Sequence, residues 1–109
     1  MAEKRSAHRI NVKLRASFRS SQAVIEGVVC DLSRLGLFLR ADYLDEPGSH
    51  GTVDLELTDG TPLKLPGEIV RVETSPGNAG MAIRFSSLPD DTRRPLANFM
   101  IESSYQSLR

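Results

Sequence analysis

Apolar and polar residues alternate along most of the chain, which is the pattern of β-strands buried on one face. The alternation is most regular over residues 12–18 and 53–58, where every second side chain is apolar. Similar runs cover residues 23–33, 37–41, 63–74 and 81–85. Asp59 and Gly60 mark a turn between two of the runs, and residues 76–78 mark another. Six short strands with frequent turns predict a mainly β protein, either an antiparallel barrel or a sandwich.

The spacing of apolar residues changes near the C-terminus from every second position to every third or fourth. The residues concerned are Leu96, Phe99 and Met100. This spacing predicts an amphipathic helix over about residues 90–105, with Pro95 in its first turn and Asp90 and Asp91 near its positive end. We expect its apolar stripe to cover one opening of the barrel.

The length of 109 residues and the mass of 12.0 kDa accommodate one domain. Residues 11–109 are expected to form the barrel and its helix, preceded by a flexible basic arm of residues 1–10. The single cysteine, Cys30, excludes an internal disulfide. Because Cys30 alternates onto the apolar side of its strand, we expect it to be a small core residue.

Several classes of protein are disfavoured by what the sequence lacks. His8 and His50 are far apart and there is no second cysteine, which argues against a zinc site. No apolar run is long enough to insert into a membrane and no N-terminal signal is present, so a cytoplasmic protein is expected. The sequence carries no phosphate-binding loop or hydrolase motif, and the charge at a helix start explains Asp90 and Asp91 better than acid–base catalysis. An enzyme, a metal or a resident cofactor is therefore not expected.

The formal net charge is zero, but it is divided unevenly along the chain. Residues 1–40 carry a balance of +5 and residues 41–109 a balance of −5, and the chain has eleven Arg against three Lys. An arginine-rich first part suits an anionic partner, because guanidinium grips phosphates and guanine edges in pairs of hydrogen bonds. The overall neutrality argues against sequence-independent binding to DNA.

Two short stretches suit recognition of a guanine nucleotide. The first contains Arg5 and Arg9, and the second contains Asp31, Ser33 and Gly36. Arginine can donate to N7 and O6 of guanine, and a carboxylate can accept from the N–H groups on its other edge. Each stretch also has a purely structural interpretation, since a basic arm can be solvated and an Asp-x-Ser segment can cap a turn.

The order and spacing of these residues resemble the RxxxR and (D/N)xSxxG motifs of PilZ domains, which are bacterial receptors for the second messenger cyclic di-GMP. The segment Gly80–Phe85 is also similar to the closing strand of that family. The resemblance implies a six-stranded antiparallel barrel of the split-barrel type with a C-terminal helix. It further implies that Arg5 and Arg9 contact phosphates and guanine, that Asp31 and Ser33 hold guanine, and that Gly36 leaves space for it. Lys4, where the family often has another Arg, is expected to meet a phosphate.

The resemblance favours a non-enzymatic cyclic di-GMP receptor that orders its arm on the barrel and acts on an effector protein in motility or exopolysaccharide control. We expect a monomer or a weak homodimer. The alternative is a degenerate PilZ-like adaptor that binds proteins and no nucleotide. A third possibility, a barrel that binds single-stranded nucleic acid, requires exposed aromatic side chains. It is disfavoured because Phe18, Phe38 and Phe85 are expected in the core or at its rim.

Overall fold

The computed structural model describes residues 8–107, with the side chains of residues 8–103. It contains six strands and one helix. These are β1 (Ile10–Ser20), β2 (Val24–Leu32), β3 (Gly36–Arg40), β4 (His50–Glu56), β5 (Pro62–Glu73), β6 (Gly80–Phe85) and α1 (Asp90–Ser107). The predicted mainly β fold with a C-terminal helix is confirmed. The strand β1 begins within the segment that the sequence assigned to the arm.

The six strands form a closed antiparallel barrel in the order β1-β2-β3-β6-β5-β4. Short connections join β1 to β2, β2 to β3 and β4 to β5, and the last of these turns at Gly60, whose φ is 91°. Two pairings connect strands that are distant in sequence, β3 with β6 and β1 with β4. The second of these pairings closes the barrel.

The core lies inside the barrel and is almost entirely aliphatic. Inward-facing and outward-facing side chains alternate along most of each strand, and Phe18 is the one aromatic ring among the buried core residues of the described chain. Leu96 and Met100 of α1 belong to the same buried cluster, with Phe99 packed against it. The predicted apolar stripe of the helix is thus confirmed.

The expected position of Cys30 in the core is wrong. Ile25 and Val29 point inward, as does Leu32, whereas Cys30 is partly exposed and lines an open groove of about 730 Å³ on the outer wall. The face of β2 that carries Ile25 and Val29 is the inner one, so Cys30, which follows Val29, points outward. Leu32 is buried as well because of a β-bulge, in which Val29 lies opposite Leu39 and Asp31 lies opposite Phe38, so that β2 has one residue more than β3. The alternation along β2 is therefore interrupted at Cys30.

Two further expectations about side chains are corrected. Pro95 lies inside α1 rather than in its first turn, because the helix already begins at Asp90, where Arg93 N–H donates to the carbonyl of Pro89. Phe38 lies on the outer wall, where it is partly exposed, because it alternates with the buried Leu37 and Leu39 on β3.

Candidate functional site

Arg9 and Asp31 are brought together at the end of the barrel where β1 begins and β2 ends. Ile10 pairs with Leu32, so the residue before β1 lies beside the last residues of β2. The distance from Arg9 Nε to Asp31 Oδ1 is 3.5 Å, and the two side chains are 63% and 30% exposed. An exposed ion pair of this kind contributes only about 0–1 kcal/mol. A ligand with a matching charge pattern can therefore replace it at little cost.

Ser33 is buried in the turn that connects β2 to β3, with an exposed fraction of 6%. Its hydroxyl accepts hydrogen bonds from the backbone N–H groups of Leu35 (3.0 Å) and Gly36 (3.2 Å) and donates to the carbonyl of Gly36 (3.3 Å). The backbone N–H of Ser33 also donates to that carbonyl, at 2.9 Å. One donor and two acceptor positions are the full capacity of a hydroxyl. Ser33 therefore stabilises the turn, and its predicted contact with guanine stays a prediction.

Gly36 begins β3 and faces the backbone of β6. A Cβ atom at this position would lie 2.3 Å from the carbonyl oxygen of Ile83, closer than any normal contact. In the described chain, the glycines with a positive φ are Gly48, Gly60 and Gly77. Gly36 is therefore not needed for a left-handed backbone conformation. The position that a Cβ atom would take here is filled by the backbone of β6, so glycine is required for the close packing of β3 on β6. The predicted role of Gly36 in leaving space for guanine stays a prediction.

Asp31 is the first member of a row of side chains that crosses the outer wall. The row runs through Phe38 on β3 and Ala82 on β6 to Arg71 on β5, each residue paired with the next across the sheet. The guanidinium carbon of Arg71 lies 5.9 Å from the centroid of the Phe38 ring, within the range of a cation–π contact. No motif marks Arg71, and the sequence predicts Phe38 only in the core or at its rim, because the alignment of the two residues depends on strand register.

Lys4 and Arg5 lie outside the described residues, so the structure does not place them relative to Asp31. Two open grooves on the outer wall have volumes of about 640 and 730 Å³, and neither is lined by Asp31, Ser33 or Gly36. The candidate site is therefore a surface of the barrel wall, formed by Arg9, Asp31 and the row that Asp31 begins. A ligand on such a surface has to be held by directional contacts rather than by enclosure.

Between residues 8 and 107, no group of His, Cys, Asp and Glu side chains is placed to hold a metal ion. In the same part of the chain, no helix has the length and apolar character needed to cross a membrane.

The fold is similar to several solved structures, which include a PilZ domain. The inhibitor of motility MotI/DgrA from Bacillus subtilis superposes with a TM-score of 0.83 at 13% identity, over 98% of this chain and 54% of that chain. YcgR from Escherichia coli in complex with c-di-GMP superposes with a TM-score of 0.82 at 13% identity, over 96% of this chain and 48% of that chain. The PilZ domain of YcgR with c-di-GMP superposes with a TM-score of 0.79 at 11% identity, over 96% of this chain and 95% of that chain.

The chain thus spans about half the length of MotI/DgrA and of YcgR. At these identities the similarity demonstrates the shared fold. No curated protein matches the sequence. The PilZ domain family itself matches residues 3–102, which is most of the chain and includes both motifs and all six strands. The chain therefore belongs to the PilZ domain family.

Proposed function

We propose that this chain is a receptor for cyclic di-GMP, which binds on the outer wall of the barrel beside Asp31. The observation that carries the proposal is the meeting of Arg9 and Asp31, two charged motif residues that are distant in sequence and 3.5 Å apart in space. Together they offer a forked donor and an acceptor, which are the two groups that a guanine base requires. Two solved relatives, YcgR and its PilZ domain, have c-di-GMP bound.

In the proposed complex, the exposed ion pair between Arg9 and Asp31 opens and each partner contacts the ligand. Asp31 accepts from the N–H groups of guanine, while Arg9 donates to a phosphate or to N7 and O6 of a base. Arg5 stands four residues before Arg9, and four residues of extended chain span at most about 14 Å. Arg5 and Lys4 can therefore reach the same ligand and neutralise its second phosphate. Ser33 contributes by holding the turn that follows Asp31.

We propose that binding fixes residues 1–10 against the barrel and so changes the surface that an effector protein meets. In this role the chain acts as a cytoplasmic receptor or adaptor and catalyses no reaction, as a monomer or a weak homodimer. Motility or exopolysaccharide production is the process that we expect it to control. The similarity to MotI/DgrA, an inhibitor of motility, supports the first of these.

The proposal is tested by isothermal titration of the full chain with cyclic di-GMP, with GTP as the control ligand. We expect saturable binding of cyclic di-GMP and none of GTP, and the molar ratio reports whether one or two nucleotides bind. The variants Arg9→Ala and Asp31→Ala should each weaken binding about tenfold or more, since a bidentate base contact contributes about 1–3 kcal/mol. Arg15→Ala is the matched control, because Arg15 is an exposed arginine on β1, a strand that pairs with β2 and β4 and not with β3 or β6.

Wild-type affinity in both Arg9→Ala and Asp31→Ala would contradict the proposed site. Absence of any binding by the wild-type chain would contradict the proposed function as a whole. In that case, copurification of a protein partner without nucleotide would favour the alternative role as a protein-binding adaptor.

A further inference from the structure

Two β-bulges lie on the two strands that flank the β3–β6 pair. On β2 the bulge falls at Cys30, between the pairs Val29–Leu39 and Asp31–Phe38. On β5 it falls at Val70, between the pairs Ile69–Ile83 and Arg71–Ala82. In each case the flanking strand carries one residue more than the strand it pairs with. A bulge of this kind changes the face toward which the following side chain points.

The bulges turn Asp31 and Arg71 outward. In an uninterrupted strand, the residue two positions after a buried one also points inward. Val29 and Ile69 are both fully buried, so Asp31 and Arg71 would otherwise point into the core. Instead, Asp31 lies opposite the outward-facing Phe38, and Arg71 lies opposite the outward-facing Ala82. Two independent irregularities therefore place two opposite charges in the same row of the outer wall.

Phe38 and Ala82 form the surface between the two charges. Ala82 is small, and the ring of Phe38 lies close over β6, since a Cβ atom at Gly80 would be 2.6 Å from its Cε2. The guanidinium of Arg71 packs on this ring at 5.9 Å and also approaches Glu73, with 3.6 Å from Nη1 to Oε1. These contacts orient the guanidinium, while the side chain of Arg71 stays 56% exposed. It is therefore both held in place and accessible to a ligand.

We propose that Arg71 is a second ligand-binding residue of this face, which donates paired N–H groups to two acceptor atoms of the nucleotide held at Asp31. This inference rests on the proposed function. Asp31 and Arg71 are three strand spacings apart, about 14 Å along the sheet. A ligand with two nucleotide units bridges this separation, whereas a single guanine does not. The acceptor pair is either N7 and O6 of the second guanine or two oxygens of a phosphate, because both present the same paired geometry to guanidinium.

The test compares Arg71→Met, Arg71→Lys and the control Arg15→Met by titration of the full chain with cyclic di-GMP. Methionine keeps most of the apolar contact with Phe38 and removes the N–H groups. Arg71→Met should bind about tenfold more weakly or worse, and Arg15→Met should bind like the wild type. Lysine supplies a charge without a fork. Arg71→Lys therefore keeps most of the affinity if a phosphate is the acceptor and loses as much as Arg71→Met if a guanine edge is.

Thermal unfolding without ligand separates binding from a purely structural role. The proposal requires that Arg71→Met unfold within about 3 °C of the wild type, which corresponds to less than about 1 kcal/mol for a domain of this size. A larger drop that accompanies the loss of affinity overturns it, as does wild-type affinity in Arg71→Met. If the wild type and Arg71→Met bind equally while Arg9→Ala is weakened, only the inference about Arg71 fails. If the wild type does not bind, the proposed function fails and the inference fails with it.

Discussion

The hydroxyl of Ser33 makes three hydrogen bonds within one turn, so its first effect is on the stability of the ligand-free protein. Ser33→Ala removes these bonds and leaves the N–H groups of Leu35 and Gly36 without their acceptor. We expect the free energy of unfolding to fall by about 1–3 kcal/mol, the usual cost of unsatisfied polar groups in a partly buried turn. Urea denaturation in the absence of nucleotide measures this change.

Ser87→Ala provides the matched control, because Ser87 is exposed in the connection between β6 and α1. It should alter stability by no more than about 0.5 kcal/mol. If Ser33→Ala is as stable as Ser87→Ala but binds cyclic di-GMP more weakly, the turn has no need of the hydroxyl, and Ser33 acts directly on the ligand.

Residue identity alone marked Arg9 and Asp31 as site residues, but it did not predict their ion pair or the local contacts of Ser33 and Gly36. The sequence allowed Ser33 either a ligand or a local turn as its partner, and only the positions of the neighbouring N–H groups identify the turn. For Gly36, the motif implied space for a guanine, and the structure adds a close approach to the carbonyl of Ile83. That contact joins residues that are distant in sequence, so a local motif could not reveal it.

Among the elements, α1 is the one whose contribution to stability is least evident from its own composition. Its mean hydropathy is low, and it contacts the barrel through few side chains, of which Leu96 and Met100 are buried in the common core. Leu96→Ala should lower the free energy of unfolding by about 2–5 kcal/mol, because it leaves a cavity between the helix and the barrel. Chemical denaturation followed by circular dichroism measures the difference.

Ile101→Ala, on the same helix, removes an apolar side chain that is 64% exposed and should cost less than about 1 kcal/mol. Equal effects of the two substitutions would mean that α1 does not close the core in solution. A large effect of Leu96→Ala alone would confirm that the helix is part of the barrel's cooperative unit.

The strands could be predicted from alternation, but the faces of two of them could not. Alternation assigns the side chains of a strand to two faces, and a bulge reverses the assignment beyond it. Cys30 and Val70 have no feature that marks them as bulged, since a bulge is defined by the register with the neighbouring strand. Cys30 was expected in the core because it lies two positions before Leu32, which is buried, and the bulge at Cys30 breaks that correspondence. For the same reason, Arg71 could not be recognised as a neighbour of Phe38.

At the scale of the whole molecule, closure of the barrel gathers residues from distant parts of the chain onto one wall. The proposed ligand-binding face consists of β2, β3, β6 and β5. The β3–β6 pairing at its centre joins the first three strands of the chain to the last three. The opposite wall contains the β1–β4 pairing that completes the barrel. A substitution can therefore alter the stability of the β1–β4 pairing without changing any residue of the proposed site.

Substitution of Asp54 on β4 can alter the stability of this pairing, because Asp54 contacts both neighbouring strands. Its carboxylate lies 2.7 Å from Arg19 Nη2 on β1 and 3.1 Å from Lys64 Nζ on β5. Partial burial acts to raise the pKa of Asp54, but the hydrogen bonds and charges of Lys64 and Arg19 together lower it below its ordinary value. The folded state thus holds the ionised carboxylate more strongly than the unfolded chain does.

The sign of the pH dependence follows from this lowered pKa. Asp54 stabilises the folded state above the pKa of the unfolded chain, about 3.9, and this contribution is lost as the pH falls through the lower pKa of the folded state. Since the ion pairs are partly exposed, Asp54→Asn should cost no more than about 1 kcal/mol at pH 7, a few degrees in Tm. Thermal unfolding at pH 7 and at pH 2 should show that difference shrinking toward zero in acid. The control Glu56→Gln removes an exposed acidic charge from the same strand and should show no comparable loss at pH 7. A deficit in Asp54→Asn that persisted undiminished at pH 2 would contradict the argument, because a protonated carboxyl has little advantage over an amide in this position.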